Sequence, residues 1–113
     1  MTNKVNKCSL CGMCKAVCPV FRATLREGKS PRGKAVLIKH KMVSMRFYDC
    51  TLCGACVKAC PADVDMELRK VRKQLVSKGH ETEANKVMME NIRKYGNPFG
   101  EKKDENDDSL YCC

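Results

Sequence analysis

Residues 8–19 read CSLCGMCKAVCP, and residues 50–61 read CTLCGACVKACP. The second stretch repeats the first 42 positions later, with seven of its twelve residues identical, including all four cysteines. Each copy has the form C-x2-C-x2-C-x3-C-P, the run that ligates iron–sulfur cubanes in proteins. Because Gly12 and Gly54 take the same place in the two copies, a tight turn is predicted inside each run.

The fourth cysteine of each run is predicted to serve the cluster held by the other run. Three cysteines spaced three residues apart on one turned loop can reach three corners of a small cube, whereas the fourth, one helical turn later, points away. We therefore predict two [4Fe-4S] clusters, all of whose metal ligands are cysteines, and no catalytic residue. The first cluster takes Cys8, Cys11, Cys14 and Cys60, and the second takes Cys50, Cys53, Cys56 and Cys18.

Zinc and disulfides are the alternatives to the cubane interpretation. A zinc site typically uses C-x2-C twice and has no use for a third cysteine at x2 and a fourth at x3. Ten cysteines in 113 residues would suit a disulfide scaffold, but disulfides are rare in a reducing cytosol. Since MTNKVNKCSLCG has no apolar run typical of a signal peptide, we expect a cytoplasmic protein. No stretch is apolar for long enough to span a membrane.

The basic charge of the chain is uneven along its length. Residues 1–100 carry 20 Lys and Arg against 8 Asp and Glu, whereas residues 101–113 carry 2 against 5. A basic body can indicate nucleic-acid binding, but aromatic residues are few and the basic residues are spread over every segment, so no nucleic-acid partner is expected. A cubane with four thiolates carries about −2, and part of the basic excess is expected to neutralise the cofactors.

The fold class predicted is mainly α, a helical ferredoxin with two cubane-binding loops between helices, because no segment alternates as a strand does. A short helical turn is predicted within residues 20–29. A longer helix is predicted over residues 30–47, with Ser30 as its N-cap and Pro31 at its first position. Its apolar stripe, expected to be core, is Ala35, Ile38, Met42 and Met45.

Two further helices are predicted after the second cysteine run. The first covers residues 65–78, capped by Asp65 and stopped by Gly79, and the second covers residues 81–95 and ends at Gly96. Both stripes are expected to be core: Leu68, Val71 and Leu75 in one helix, and Ala84, Met88, Ile92 and Tyr95 in the other. His40 and His80 are interpreted as surface residues and not as ligands.

The connection between the cysteine runs points to a particular class of ferredoxin. The 31 residues from Cys18 to Cys50 contain a capped helix and look like the helical ferredoxin module of the iron–sulfur subunits of succinate dehydrogenase, fumarate reductase and heterodisulfide reductase. Residues 5–101 more closely resemble the N-terminal module of the glycolate oxidase/heterodisulfide reductase iron–sulfur subunit family, which includes the anaerobic glycerol-3-phosphate dehydrogenase subunit. The stretches that carry this resemblance are CPVFRAT, SPRGKAVLIK, CTLCGACVKACPADVDMELRKVRKQLV and YGNPFGE.

This resemblance implies a non-catalytic electron-transfer subunit of an oxidoreductase complex. Such a subunit relays single electrons between an acceptor and a partner subunit that carries a flavin or a thiol/disulfide site. The complex could be peripheral to a membrane, although this chain has no transmembrane segment of its own.

The C-terminal tail departs from that family. Residues 1–100 are predicted to form the ferredoxin-type domain, and residues 101–113 an acidic flexible tail that ends in Cys-Cys. In the family, cysteine-rich domains with a Cys-Cys-Gly signature follow the module, so either a partner chain supplies them or the protein is a stand-alone or truncated relay. The alternative function is a subunit or truncated form of a heterodisulfide-reductase-like thiol/disulfide oxidoreductase that uses Cys112 and Cys113, but these thiols are expected to follow an unstructured acidic linker, a poor place to hold a reactive geometry.

Overall fold

The structure, a computed structural model, describes residues 4–101. Within these residues it contains helices and no strands, which confirms the mainly α fold class. The chain divides into two compact units, Met1–His80 and Glu81–Cys113. The helices are α1 Pro19–Thr24, α2 Pro31–Lys39, α3 Ala55–Lys58, α4 Leu68–Ser77 and α5 Glu83–Tyr95, and 3-10 turns cover Lys4–Lys7, Met13–Lys15, Glu27–Lys29 and Met45–Asp49.

Helix α2 starts as the sequence predicts and ends earlier. The fully buried Ser30 hydroxyl accepts a hydrogen bond from the Gly33 amide at 2.9 Å, and Pro31 opens the helix. The helix stops at Lys39 because Lys41 adopts a left-handed φ of 54° and the Met42 amide bonds back to the Leu37 carbonyl at 2.9 Å, as in a Schellman motif. The predicted helix through residue 47 is therefore wrong in its last two turns, and Met42 and Met45 lie outside the helix, about half exposed.

Helix α4 carries the apolar stripe that was predicted, but it spans Leu68–Ser77 instead of residues 65–78. Its first residue is Leu68, because Asp65 accepts a hydrogen bond from the Glu67 amide at 2.8 Å and so forms a turn of its own in place of capping the helix. Its end is as predicted: Gly79 has φ +79°, and the His80 amide closes on the Leu75 carbonyl at 2.9 Å.

The hydrophobic core of the first unit lies directly beneath the cysteine loops. It is small, and α4 supplies three of its buried side chains while α2 supplies Ala35. Four of the predicted ligands, Cys8, Cys50, Cys56 and Cys60, pack against it while remaining partly exposed. The buried hydrophobic side chains of this core are Val5, Ala35, Phe47, Val64, Met66, Leu68, Val71 and Leu75.

Helix α5 belongs to the second unit, and none of its residues is buried. Thr82 caps it by accepting from the Asn85 amide, and Gly96, at φ +74°, ends it as predicted. Met88, Ile92 and Tyr95 are 39–47% exposed, so the prediction that this stripe is buried is wrong. Helical spacing of apolar residues makes a helix amphipathic but does not specify what covers it. None of the helices within residues 4–101 has the length and apolarity needed to cross a bilayer.

Candidate metal centre

The two cysteine loops share one backbone conformation. Leu10 and Leu52 have φ values of 61° and 58°, and Gly12 and Gly54 have values of 85° and 75°. Glycine adopts this left-handed region readily, whereas leucine does so only under strain that the surroundings must hold in place. The same strained leucine in both copies indicates that the loops need this shape.

The first loop forms one side of a cavity that the second loop completes. Cys8, Cys11 and Cys14 line it together with Cys60 from the other copy, and Arg32 lies at its wall. The non-protein space within it is about 360 Å³, part of it open to solvent.

The second cavity has the same construction with the roles of the copies exchanged. Cys50, Cys53 and Cys56 line it together with Cys18, and the buried Lys34 and Met66 complete the wall. Its non-protein space is also about 360 Å³. The structure thus brings the eight cysteines together in the two sets that the spacing predicts, and it places His40 and His80 at the exposed surface, outside both cavities.

Four thiols around a cavity fit a group larger than one ion. No three His, Cys, Asp or Glu side chains within residues 4–101 are arranged to hold a single metal ion, as a tetrahedral zinc site would require. All eight loop cysteines are free of disulfides. The donor set therefore suits a cubane with one thiolate at each iron. Cys112 and Cys113 lie outside the described residues.

The second cysteine of each loop is biased toward the thiolate, the form that binds metal. The pKa values of Cys11 and Cys53, both exposed, lie below the usual thiol value. The cause in each case is a backbone amide two residues later, helped by a hydroxyl two residues earlier. These groups are Met13 and Ser9 in the first loop and Ala55 and Thr51 in the second.

The third cysteine of each loop is biased toward the protonated thiol. Burial raises the pKa of Cys14, and burial together with the neighbouring thiolates raises the pKa of Cys56 to about 11. These thiols stay protonated near neutral pH until a cation balances the charge. Each loop thus offers one exposed thiol with a lowered pKa and one half-buried thiol with a raised pKa.

Backbone amides also point at three of the sulfurs. The Phe21 amide donates to Cys18 Sγ at 3.4 Å, so the fourth cysteine of the first run is also the N-cap of α1. The Leu52 amide donates to Cys50 Sγ at 3.3 Å, and the Val64 amide to Cys60 Sγ at 3.5 Å. Such bonds stabilise negative charge on a sulfur ligand.

The sequence pattern did not reveal two basic residues that support the second loop. The Arg72 guanidinium, on α4, donates to the carbonyls of Phe47, at 3.0 Å, and of Tyr48 and Cys50. It therefore fixes the segment that enters the second loop. Lys34 is only 2% exposed and donates from Nζ to the Lys29 carbonyl. The only indication of these two residues in the sequence was that each stands next to an apolar position of its helix stripe, Lys34 before Ala35 and Arg72 after Val71.

A family model described as the 4Fe-4S dicluster domain matches residues 4–64, which is more than half of the chain. The match covers all eight loop cysteines. A search among curated proteins found no match to this chain.

Proposed function

The chain belongs to the 4Fe-4S dicluster domain family and is an iron–sulfur module of the electron-transfer type, and on that premise we propose that it carries two clusters, one in each cysteine-lined cavity. The observation that carries the proposal is the pair of matched cavities, each lined by four thiols from both copies of the motif. The proposed ligands are Cys8, Cys11, Cys14 and Cys60 for the first cluster and Cys50, Cys53, Cys56 and Cys18 for the second.

The chain's own residues prepare these cavities for an anionic group. Thiolates supply the ligands, and the amides of Phe21, Leu52 and Val64 donate to their sulfurs. Arg32 and Lys34 bring positive charge to the first and second cavity walls. A bound [4Fe-4S] cluster accepts and releases one electron at a time, and four thiols per cavity leave no position for a substrate. This arrangement supports a relay and not a catalytic site.

We further propose that the relay serves a partner oxidoreductase subunit with a flavin or a thiol/disulfide site, as the resemblance to the glycolate oxidase/heterodisulfide reductase subunits implies. Two of the stretches behind that resemblance have clear structural roles. SPRGK contains the buried Ser30 cap and Gly33. In NPFG, Asn97 Oδ1 accepts from the amides of Phe99 and Gly100, both at 2.9 Å, while the Phe99 side chain is 83% exposed. An exposed aromatic on a tightly bonded turn suits contact with another protein.

Ligand assignment is tested by counting iron after anaerobic reconstitution. The full chain should bind about eight irons and eight sulfides, four of each per cubane, and stoichiometric zinc without sulfide would refute the proposal. Cys60→Ser should leave about four irons. Adding Cys11→Ser should leave that count unchanged because both residues serve one cluster, whereas adding Cys53→Ser should abolish iron binding. The opposite pattern would show that the ligand sets are not crossed.

The partner is tested by anaerobic purification of the tagged full chain from its source cells. A flavoprotein or a protein with the Cys-Cys-Gly signature should accompany it and exchange electrons with its clusters. The thiol/disulfide alternative is tested by the double variant Cys112→Ser, Cys113→Ser. Unchanged electron transfer in that variant supports the relay, and loss of the activity would favour the alternative.

A further inference from the structure

The two cavities differ in the charge built into their walls. Lys34, on α2, is 2% exposed, and its ammonium donates to the Lys29 carbonyl. Among residues 4–101 no carboxylate forms an ion pair with it. A positive charge held away from water without a carboxylate partner acts on its surroundings with little screening.

The charge of Lys34 faces the second cavity. Lys34 lines that cavity. Burial lowers the pKa of Lys34, and the thiolates of Cys50 and Cys18 are the strongest influences that favour its charged form. The nearby Asp49 carboxylate also attracts it but is already paired with Lys29 at 3.4 Å. The charge of Lys34 is therefore held at a wall that it shares with Cys18, Cys50 and Cys56.

Arg32, the basic residue that lines the first cavity, is compensated and more exposed to solvent, and Lys39, outside that lining, donates from Nζ to the Cys8 carbonyl at 2.5 Å. Arg32 Nε lies 2.6 Å from Glu27 Oε1, and Lys15 Nζ lies 2.7 Å from Glu27 Oε2. These two cations hold the pKa of Glu27 at about 2, so the carboxylate is ionised at neutral pH. The Arg32 side chain is 34% exposed and that of Glu27 is 46% exposed, and charges in contact with solvent are screened.

Hydrogen bonds to sulfur add to the same asymmetry. Besides the amides of Met13 and Ala55, which act alike on Cys11 and Cys53 in the two loops, amide donors lie 3.3–3.5 Å from Cys18 and Cys50 in the second cavity and from Cys60 in the first. Hydrogen bonds to cluster sulfurs and nearby charge are among the factors that set an iron–sulfur potential. Both favour the extra negative charge of reduction at the second cavity.

We propose that the cluster bound by Cys50, Cys53, Cys56 and Cys18 is the more easily reduced of the two, and that Lys34 raises its reduction potential. The inference rests on the proposed function, since it requires a cluster in each cavity. With an external low-potential reductant as the electron source, one electron supplied to the protein would reside mainly at the site held by Cys50, Cys53, Cys56 and Cys18, and the other site would stay oxidised. Electrons therefore collect on the side of the molecule that holds Lys34.

The test is an anaerobic redox titration of the full chain with dithionite, followed by electron paramagnetic resonance. The wild type should show two one-electron waves. Cys53→Ser should remove the higher wave and Cys11→Ser the lower one. Lys34→Met should lower the potential of the wave that Cys53→Ser removes, by about 59 mV or more, a tenfold change in a one-electron equilibrium, and should leave the other wave in place.

Two further variants separate charge from other effects. Lys34→Gln removes the charge but keeps a hydrogen-bond donor, so it should lower the same wave. Lys58→Met removes an equal charge from an exposed lysine inside the second motif and should move neither wave. An equal effect of Lys58→Met and Lys34→Met would overturn the specific role of Lys34.

The outcomes distinguish this inference from the function on which it rests. A wild type with one wave and four irons overturns the two-cluster proposal and the inference with it. Two waves that Lys34→Met leaves unmoved overturn the inference alone. If both Lys34 variants lose the second cluster, the order of the two potentials in the wild type tests the proposal instead. Coincident waves, or a higher wave that Cys11→Ser removes, would refute the order proposed.

Discussion

Gly33 is a helix residue at which glycine is required by a close backbone approach. A Cβ at this position would lie 2.2 Å from the Glu27 carbonyl oxygen and 3.1 Å from both the Glu27 carbonyl carbon and the Gly28 Cα. These atoms are backbone, so no side-chain rotation relieves the contact. Gly33 must therefore keep its hydrogen atom for α2 to pack against the 3-10 turn Glu27–Lys29.

The substitution Gly33→Ala sets two effects against each other. In an ordinary helix interior, alanine is more favourable than glycine by about 1 kcal/mol. Forcing a methyl group into packed structure costs about 1–3 kcal/mol, and the cost lies at the upper end when backbone must move. We expect a net fall of about 1–2 kcal/mol in the free energy of unfolding, which corresponds to a Tm lower by about 4–16 °C in a domain of this size.

The assay is thermal unfolding of the cluster-loaded chain under anaerobic conditions, followed by far-ultraviolet circular dichroism. Gly28→Ala is the matched control, because its Cβ would meet the Arg46 guanidinium, 2.5 Å from Nη1, and a flexible side chain can move away. Its Tm should fall by less than about 4 °C, the equivalent of less than 1 kcal/mol. A Gly33→Ala variant as stable as the wild type would refute the steric argument.

Three further changes test other parts of the molecule. Ser30→Ala should lower the free energy of unfolding by about 1–2 kcal/mol, because a buried cap is lost; an unchanged Tm would contradict the capping role. Arg72→Met should cost about 1.5–3 kcal/mol, the value of a charged hydrogen bond, and should speed iron release to a chelator, whereas Arg69→Met, exposed on the same helix, should do neither. Deleting residues 102–113 should leave about eight irons bound, because both cavities are lined within residues 4–101; a loss of four would make the tail cysteines ligands.

The parts of the fold that a sequence predicts well are those encoded in a few adjacent residues. The Ser30 cap and the glycine stops at Gly79 and Gly96 were predicted from local patterns, and the structure confirms them. The grouping of the cysteines could also be predicted, because the x2, x2, x3 spacing already reflects the reach of each side chain.

The parts that could not be predicted depend on residues that break the usual preferences. Helix α2 ends on Lys41 in the left-handed conformation, where glycine or asparagine is the expected signal. Leu10 and Leu52 take the same conformation in the loops, which no leucine preference indicates. Lys34 was hidden because lysine is almost never fully buried, although it is so in this fold.

The exposed segment of residues 40–43 gains importance from the way the cavities are built. A protease cut there would separate the two motifs, so each fragment would keep three cysteines of one cavity wall and only one of the other. Either cavity stays complete only while the two fragments remain associated. A single broken peptide bond in this segment would cost the molecule both sites once the two fragments part.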